Sequence, residues 1–97
     1  MERDQIIKEL MIAGRPFSVE YCDLTPADCL GKAHVAQQRI LIEAGLGYHA
    51  RRATILHEIL EVIDSLYELN LDHRVISALE SALYQVLQDN ELWRDDW

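Results

Sequence analysis

The sequence predicts an α+β domain in which a small antiparallel β-sheet packs with two C-terminal helices. Over residues 5–45, short runs alternate apolar and polar side chains between turn residues, which is typical of strands. From residue 48 onward, apolar residues instead recur every three or four positions, which is typical of helices. A chain of 97 residues has room for one hydrophobic core, so we expect a single domain over residues 1–97.

Two strands are expected at the start of the chain. An apolar strand runs to Ala13, and residues 14–16 form a turn into a second strand. In that second strand Phe17, Val19 and Tyr21 alternate with polar residues, which predicts one buried face. Residues 3–10 fit either a helix or an extended segment.

A second pair of strands follows a loop. The run TPADCL, residues 25–30, is typical of a loop because Pro26 and Asp28 favour a turn. The run GKAHVAQQRILIEAG, residues 31–45, then predicts two further short strands. Ile40 and Ile42 are expected on the same face of the sheet.

Two helices are expected after residue 47. The first covers about residues 48–69, with its apolar side chains on one broad arc of the helical wheel and its polar side chains on the other. Asp72 is a suitable N-cap for a second helix over about residues 73–88. The short link between them favours antiparallel packing. Residues 89–97 form a polar tail that contains Trp93 and Trp97.

Acidic residues are concentrated in the C-terminal half. Residues 53–97 hold ten Asp or Glu and two Arg, whereas residues 1–52 hold seven acidic and seven basic residues. This distribution disfavours binding to nucleic acid or to an anionic membrane, because phosphate contacts need clustered Lys and Arg. It suits a cation site, or solubility alone.

The sequence predicts a cytoplasmic protein. No apolar run approaches the roughly 20 residues that cross a bilayer, and the N-terminal residues lack the uninterrupted apolar stretch of a signal peptide. In that compartment we expect Cys22 and Cys29 to be reduced thiols.

The first helix contains the sequence His57-Glu58-x-x-Glu61. Residues four apart lie on one side of a helix, so His57 and Glu61 can be directed at one point, and imidazole and carboxylate are both zinc ligands. Glu58 points about 100° away from His57, where a carboxylate can take a proton from a metal-bound water. The alternative is that these residues form the solvated face of an amphipathic helix, in which Glu is common.

Two residues of the second helix extend this group. Glu80 lies at the margin of the apolar arc, where a carboxylate needs a partner. His73 comes seven residues earlier and is nearly superposed on Glu80 along the helix axis. In an antiparallel pair of helices, both face the edge that carries His57 and Glu61. The alternatives are structural: a hydrogen bond to a nearby hydroxyl for Glu80, and solvent exposure at the helix start for His73.

The C-terminal part of the chain resembles the C-terminal half of small phage and prophage proteins grouped with zincin-like metallopeptidases. The likeness covers residues 53–90, ATILHEILEVIDSLYELNLDHRVISALESALYQVLQDN. In that family a strand-rich part leads into a helix of the LLHEILHAI type, and a second helix ends in a stretch of the LYQVLKDN type. Over residues 10–46 the likeness is looser and depends on IAGRPFSVEY and QQRILIEAGL. The chain departs from the family at Glu61, which stands where the second histidine of HExxH is expected.

The resemblance implies a role for each residue of the group. His57 would be the first metal ligand, Glu58 the general base and Glu80 the third ligand, contributed by the next helix. Glu61 retains a side chain that can bind metal, but its charge would weaken the metal as a Lewis acid and widen the choice from Zn²⁺ towards Mn²⁺ or Fe²⁺. His73 is a candidate fourth ligand, and four protein ligands would suit a structural site.

These features together predict a zincin-like phage protein in which a divalent cation activates water to hydrolyse a peptide bond. Its partner would be a peptide or protein substrate. Because the chain has little room for a cleft, a second subunit could complete the site. The rival hypothesis is a non-catalytic interaction protein, with or without structural metal, that acts through its acidic helical face or through Trp93 and Trp97. The departure at Glu61 weakens the case for catalysis more than the case for metal binding.

Overall fold

The computed structural model describes residues 6–97 and places all of its strands before its two long helices. The strands are β1 (Glu9–Ile12), β2 (Arg15–Cys22), β3 (Gly31–His34) and β4 (Arg39–Glu43), and the helices are α1 (Tyr48–Leu66) and α2 (His73–Asp89). The predicted α+β class is therefore confirmed. The prediction for residues 3–5 lies outside the described residues. Within residues 6–97, neither helix combines the length and the hydropathy that a bilayer span requires.

The hairpin between β1 and β2 closes through a turn of two residues, Ala13 and Gly14. Both have positive φ angles, 52° and 75°, which is the conformation of a type I′ turn. This turn matches the right-handed twist of the flanking strands, so Ile12 pairs directly with Arg15. Arg15 and Pro16, which were expected in the turn, therefore belong to β2.

The sheet is mixed, whereas the sequence predicted a wholly antiparallel one. Its strand order is β1-β2-β4-β3, and the two outer pairs are antiparallel. The central pair is parallel, with Val19 opposite Ile40. Residues 23–38 connect the two central strands and include a 3-10 turn and β3. This connection exceeds the roughly twelve residues that a parallel crossover needs, and it leaves β3 at the edge of the sheet.

α1 covers one face of the sheet. Phe17 and Val19 of β2 are buried, as are Ile40 and Ile42 of β4, which confirms the predicted alternation. The core consists of Ile7, Ile12, Phe17, Val19, Ile40, Ile42, Ile55 and Val62. Each such side chain stabilises the fold by about 1.5–3 kcal/mol when it is fully buried.

α2 packs against α1 and forms a layer outside it. The side-chain contacts run in opposite directions along the two helices: His49 with Tyr84, His57 with Glu80, and Glu61 with His73. The helices are therefore antiparallel, as predicted. The N-terminus of α2 is capped by Asp72, whose Oδ1 accepts a hydrogen bond from the backbone N–H of Arg74 at 2.9 Å. This confirms the predicted N-cap.

Two residues beyond the last residue of each helix stands a glutamate in the left-handed conformation. Glu68 has a φ of 52° and Glu91 has a φ of 54°. After α1, the N–H of Leu69 bonds to the carbonyl oxygen of Asp64 at 3.1 Å, which is the closing hydrogen bond of a Schellman motif. α1 thus ends at Leu66, before the expected residue 69. Glycine usually marks such an end, so this one gave no signal in the sequence.

The C-terminal tail folds back onto the domain. The backbone N–H of Ile7 donates to the carbonyl oxygen of Asp96 at 2.6 Å. The guanidinium of Arg52 lies 4.1 Å from the centroid of the Tyr48 ring and 4.9 Å from the centroid of the Trp93 ring, which are cation–π distances. Trp97 packs against the hydrophobic core. The two tryptophans therefore contribute to the packing of their own domain.

Replacing Glu68 by Gly is expected to raise the free energy of unfolding by about 1 kcal/mol. An L side chain in the left-handed region costs roughly 1–2 kcal/mol, and the greater freedom of glycine in the unfolded chain offsets part of that gain. Urea unfolding measures the change. Glu68→Ala is the matched control, because it removes the charge and retains the Cβ atom. A Gly variant no more stable than the Ala variant would contradict the strain at residue 68.

Candidate metal centre

Four side chains with metal-binding groups meet between α1 and α2. α1 contributes His57 and Glu61, which lie one turn apart, and α2 contributes His73 and Glu80. Because the helices are antiparallel, the two pairs lie on facing edges. The structure therefore brings together the four residues that the sequence predicts as ligands.

His57 is the central member of this group. Its Nδ1 lies 2.8 Å from Oε1 of Glu80, and its Nε2 lies 3.2 Å from Oε2 of Glu61. Nδ1 of His73 lies 3.9 Å from the same Glu61 oxygen, and the two imidazole rings meet edge to face with centroids 5.5 Å apart. His57 and Glu80 have side chains only 21% and 25% exposed, whereas that of His73 is 73% exposed. His73 is thus the member with the most freedom to move.

Three of these residues have the spacing of a metal site. One ligand atom from each of His57, Glu61 and His73 lies within 4.8 Å of the others. Zinc bonds nitrogen and oxygen at about 2.0–2.1 Å, so the ligand atoms of a tetrahedral site lie ~3.4 Å apart. To bind zinc the three atoms would have to draw closer together, and the exposed His73 is the side chain with the most room to move.

Glu80 contacts the other nitrogen of His57. A carboxylate only accepts hydrogen bonds, so Nδ1–H of His57 donates to Glu80 and a neutral ring keeps its lone pair on Nε2. Nε2 is the atom directed at Glu61. A neutral ring donates through one nitrogen only, so the contact with Glu61 requires either a second proton or a cation between the two groups. Carboxylates orient metal-binding histidines in this way.

Glu58 lies beside this group and is more deeply buried. It is 6% exposed, so the alternative of a solvated helix face does not hold for it. Burial raises the pKa of Glu58 to about 7; His57 opposes this shift, and the carboxylates of Glu61 and Glu80 add to it. A carboxyl group with a pKa near 7 can take up or release a proton at neutral pH, which is the property of a general acid or base.

Gly31 of β3 allows this burial. A Cβ atom at residue 31 would lie 2.8 Å from Oε2 of Glu58 and 2.7 Å from Cγ2 of Thr54, both far too close. Gly31 therefore lets the edge strand approach α1 and cover Glu58. An isolated glycine in a strand is a signal of close approach. The sequence contains that signal but does not say which helical residue approaches.

A cleft of about 320 Å³ opens beside the group. His57, Glu58, His73 and Glu80 line it together with Cys29, Leu30, Gly31 and Thr54. The sequence did not connect residues 29–31 with the site, because β4 lies between them and α1 along the chain. The candidate base Glu58 thus shares the cleft with His57, His73 and Glu80, whereas Glu61 does not line it.

Comparison of the chain with protein-family models, with curated proteins and with solved structures gives no match in any of the three. The resemblance to zincin-like phage proteins therefore stays a prediction. The chemical roles of these residues have to be inferred from the geometry of the group.

The stability of the metal-free protein is expected to fall as the pH rises from about 4.5 to 7 because of Glu58. Its pKa is raised on folding from 4.5 to about 7, so the native state disfavours the charged form. The loss begins above the unfolded pKa and is complete above the folded pKa. Glu58→Gln removes the loss, so the variant should gain roughly 1–3 kcal/mol over the wild type between pH 4 and pH 8.

Urea unfolding in the presence of a chelator, repeated across this pH range, measures the effect. Glu91→Gln is the control, because it removes an exposed carboxylate in place of the buried one. If the Glu58 and Glu91 variants showed the same pH dependence, the burial of Glu58 would not control the titration.

Proposed function

We propose that this protein binds a divalent metal ion between α1 and α2 and hydrolyses peptide bonds with it. In this proposal His57, Glu61 and His73 are the ligands, and Glu80 holds the ring of His57. The observation that carries the proposal is the hydrogen bond from His57 to Glu80. It directs the remaining ring nitrogen at Glu61, which is the orientation of a metal-binding histidine with a carboxylate partner.

The donor set agrees with a catalytic metal. Two imidazoles and one carboxylate suit Zn²⁺ and are also accepted by Mn²⁺ and Fe²⁺. Three protein ligands leave one coordination position for water, as in catalytic zinc sites. The earlier prediction that Glu80 is itself a ligand stays a prediction, and substitution of Glu80 separates the two roles.

Glu58 is the proposed base. A bound metal supplies a polarised water and a Lewis acid for the scissile carbonyl. Glu58 follows His57 directly and lines the same cleft, so its carboxylate is placed to accept the proton of the attacking water and to pass it to the leaving amine. A bound cation would favour the ionised form of Glu58, which is the form that a base needs. The cleft is small, which favours an extended peptide segment as the substrate.

The setting of the activity is also part of the proposal. We place the protein in the cytoplasm of a bacterial host, as a product of a phage or prophage. Cys22 and Cys29 are free thiols, as is usual in a reducing compartment. The proposed partner is a peptide or protein, and the acidic C-terminal half argues against nucleic acid and anionic membranes.

The second candidate function is a non-catalytic protein stabilised by metal. It is favoured by the presence of four ligand-type side chains in one group. If Glu80 left Nδ1 of His57 and joined the other three ligands, the four would close a tetrahedral site. A closed site holds the two helices together and has no position for water. The two candidates agree on metal binding and differ on the role of Glu58.

Protein purified without added metal is expected to contain about one equivalent of a divalent ion, and a chelator should lower its Tm. Glu61→Gln and His73→Ala should abolish stoichiometric binding. Glu80→Gln should weaken binding by about 10–100-fold, the usual effect of losing a carboxylate partner of a ligand. Glu61→His, which restores the usual motif, should tighten the binding of zinc. Elemental analysis and zinc titration measure these changes.

Glu68→Gln is the control for charge, because Glu68 is exposed near the end of α1. If Glu80→Gln removed the metal as completely as Glu61→Gln, Glu80 would be a direct ligand. A metal-free wild type whose Tm responds to neither chelator nor zinc would contradict the proposed metal site.

Catalysis is tested separately with Glu58→Gln. Loss of a general base lowers kcat by about 10²–10⁴-fold, while metal content should be unchanged because Glu58 is not a ligand. Hydrolysis of unfolded casein and of a quenched fluorescent peptide mixture provides the assay. Equal rates for the wild type and Glu58→Gln would assign the activity to a contaminant and leave the non-catalytic candidate.

A further inference from the structure

One side of α2 presents apolar side chains to solvent. Ile76 is buried against the domain, whereas Val75, Leu79, Leu83 and Val86 are 39–49% exposed. These four residues recur every three or four positions, so they lie on the same side of the helix. Within residues 6–97 no element covers this side, since the principal contact of α2 is with α1.

The centre of this apolar side has the spacing of a coiled-coil seam. Val75, Leu79, Ala82 and Val86 follow each other at intervals of four, three and four residues. These intervals are the same when the helix is read backwards. A second α2, antiparallel and related by a two-fold axis, would therefore place Val75 opposite Val86 and Leu79 opposite Ala82. At the centre, the large Leu79 side chain of each copy would then face the small Ala82 side chain of the other, which allows close packing.

Each end of the seam brings together one basic and two acidic side chains in the same arrangement. Arg74 precedes the seam and Asp89 follows it; both are exposed and lie on the same flank of the helix. In this register Asp89 of one copy lies level with Asp72 of the other, and Arg74 lies two residues, about 3 Å, further along the helix axis, within reach of the same Asp89. Between them, Glu80 is the only charged residue, and it faces His57 within its own chain. Between its ends the seam thus carries no negative charge of the kind that opposes self-association elsewhere on this chain.

We propose that two copies of this chain pair through α2 as an antiparallel, two-fold symmetric dimer. The resulting assembly has the helix order α1-α2-α2-α1 between two sheets. His73 and Glu80 lie on the opposite side of α2 from the seam, toward α1. The metal site and the dimer contact are therefore separate, and the proposal does not depend on the proposed function.

Sedimentation of the full chain in the presence of a chelator is expected to show a dimer at micromolar concentrations. Leu79→Glu places a charge at the centre of the seam and should give a monomer at the same concentrations. The variant should still fold, because Leu79 is already exposed to solvent; circular dichroism checks this. Met11→Glu is the matched control, since Met11 is 64% exposed on β1, far from α2 in the chain. It should leave the dimer intact.

A charge exchange tests the direction of pairing. Arg74→Asp gathers three carboxylates at each end of the dimer, with Asp72 and the other copy's Asp89, and should raise its Kd by about five- to tenfold. The double variant with Asp89→Arg should recover the wild-type Kd. A monomeric wild type at 100 μM, or a folded Leu79→Glu that stays dimeric, would overturn the dimer. A double variant without recovery would overturn the antiparallel arrangement.

Discussion

The rest of the structure depends on the packing of α1 between the sheet and α2. Ile55 and Val62 pack into the core against the sheet, while His57 and Glu61 face α2. A helix that is covered on two sides has little room for solvated residues. Glu58, which a free amphipathic helix would expose, is consequently buried against the edge strand. The same packing that builds the core thus raises the pKa of the Glu58 carboxyl group.

That packing also concentrates negative charge. Glu58, Glu61 and Glu80 surround one imidazole, and the two neighbouring carboxylates raise the pKa of Glu58 beyond the effect of burial. Without a cation, this arrangement costs stability, because like charges oppose one another at short range. Groups that are unfavourable for the fold but converge on a cleft are typical of functional sites. A proton on Glu58 or His57, or the cation of the proposed function, would relieve this electrostatic conflict.

The sequence by itself determined the features that depend on neighbours in the chain. Alternation of Phe17 and Val19 with polar residues predicted a strand, and the Asp72 side chain predicted where α2 begins; both follow from local backbone chemistry. Helical periodicity placed His57 and Glu61 on one edge, and a short link predicted that α2 would meet them. For these reasons the sequence indicated which side chains would meet between α1 and α2.

Only the tertiary structure decided how these elements meet. The parallel pairing of β2 with β4 and the approach of Gly31 to Glu58 join residues far apart in the sequence. The contact of Glu80 with Nδ1 of His57 is of the same kind. Residue patterns record which face of an element is buried, but they do not record which distant atom it is buried against. Contacts of that second kind set the pKa of Glu58 and the orientation of the His57 ring.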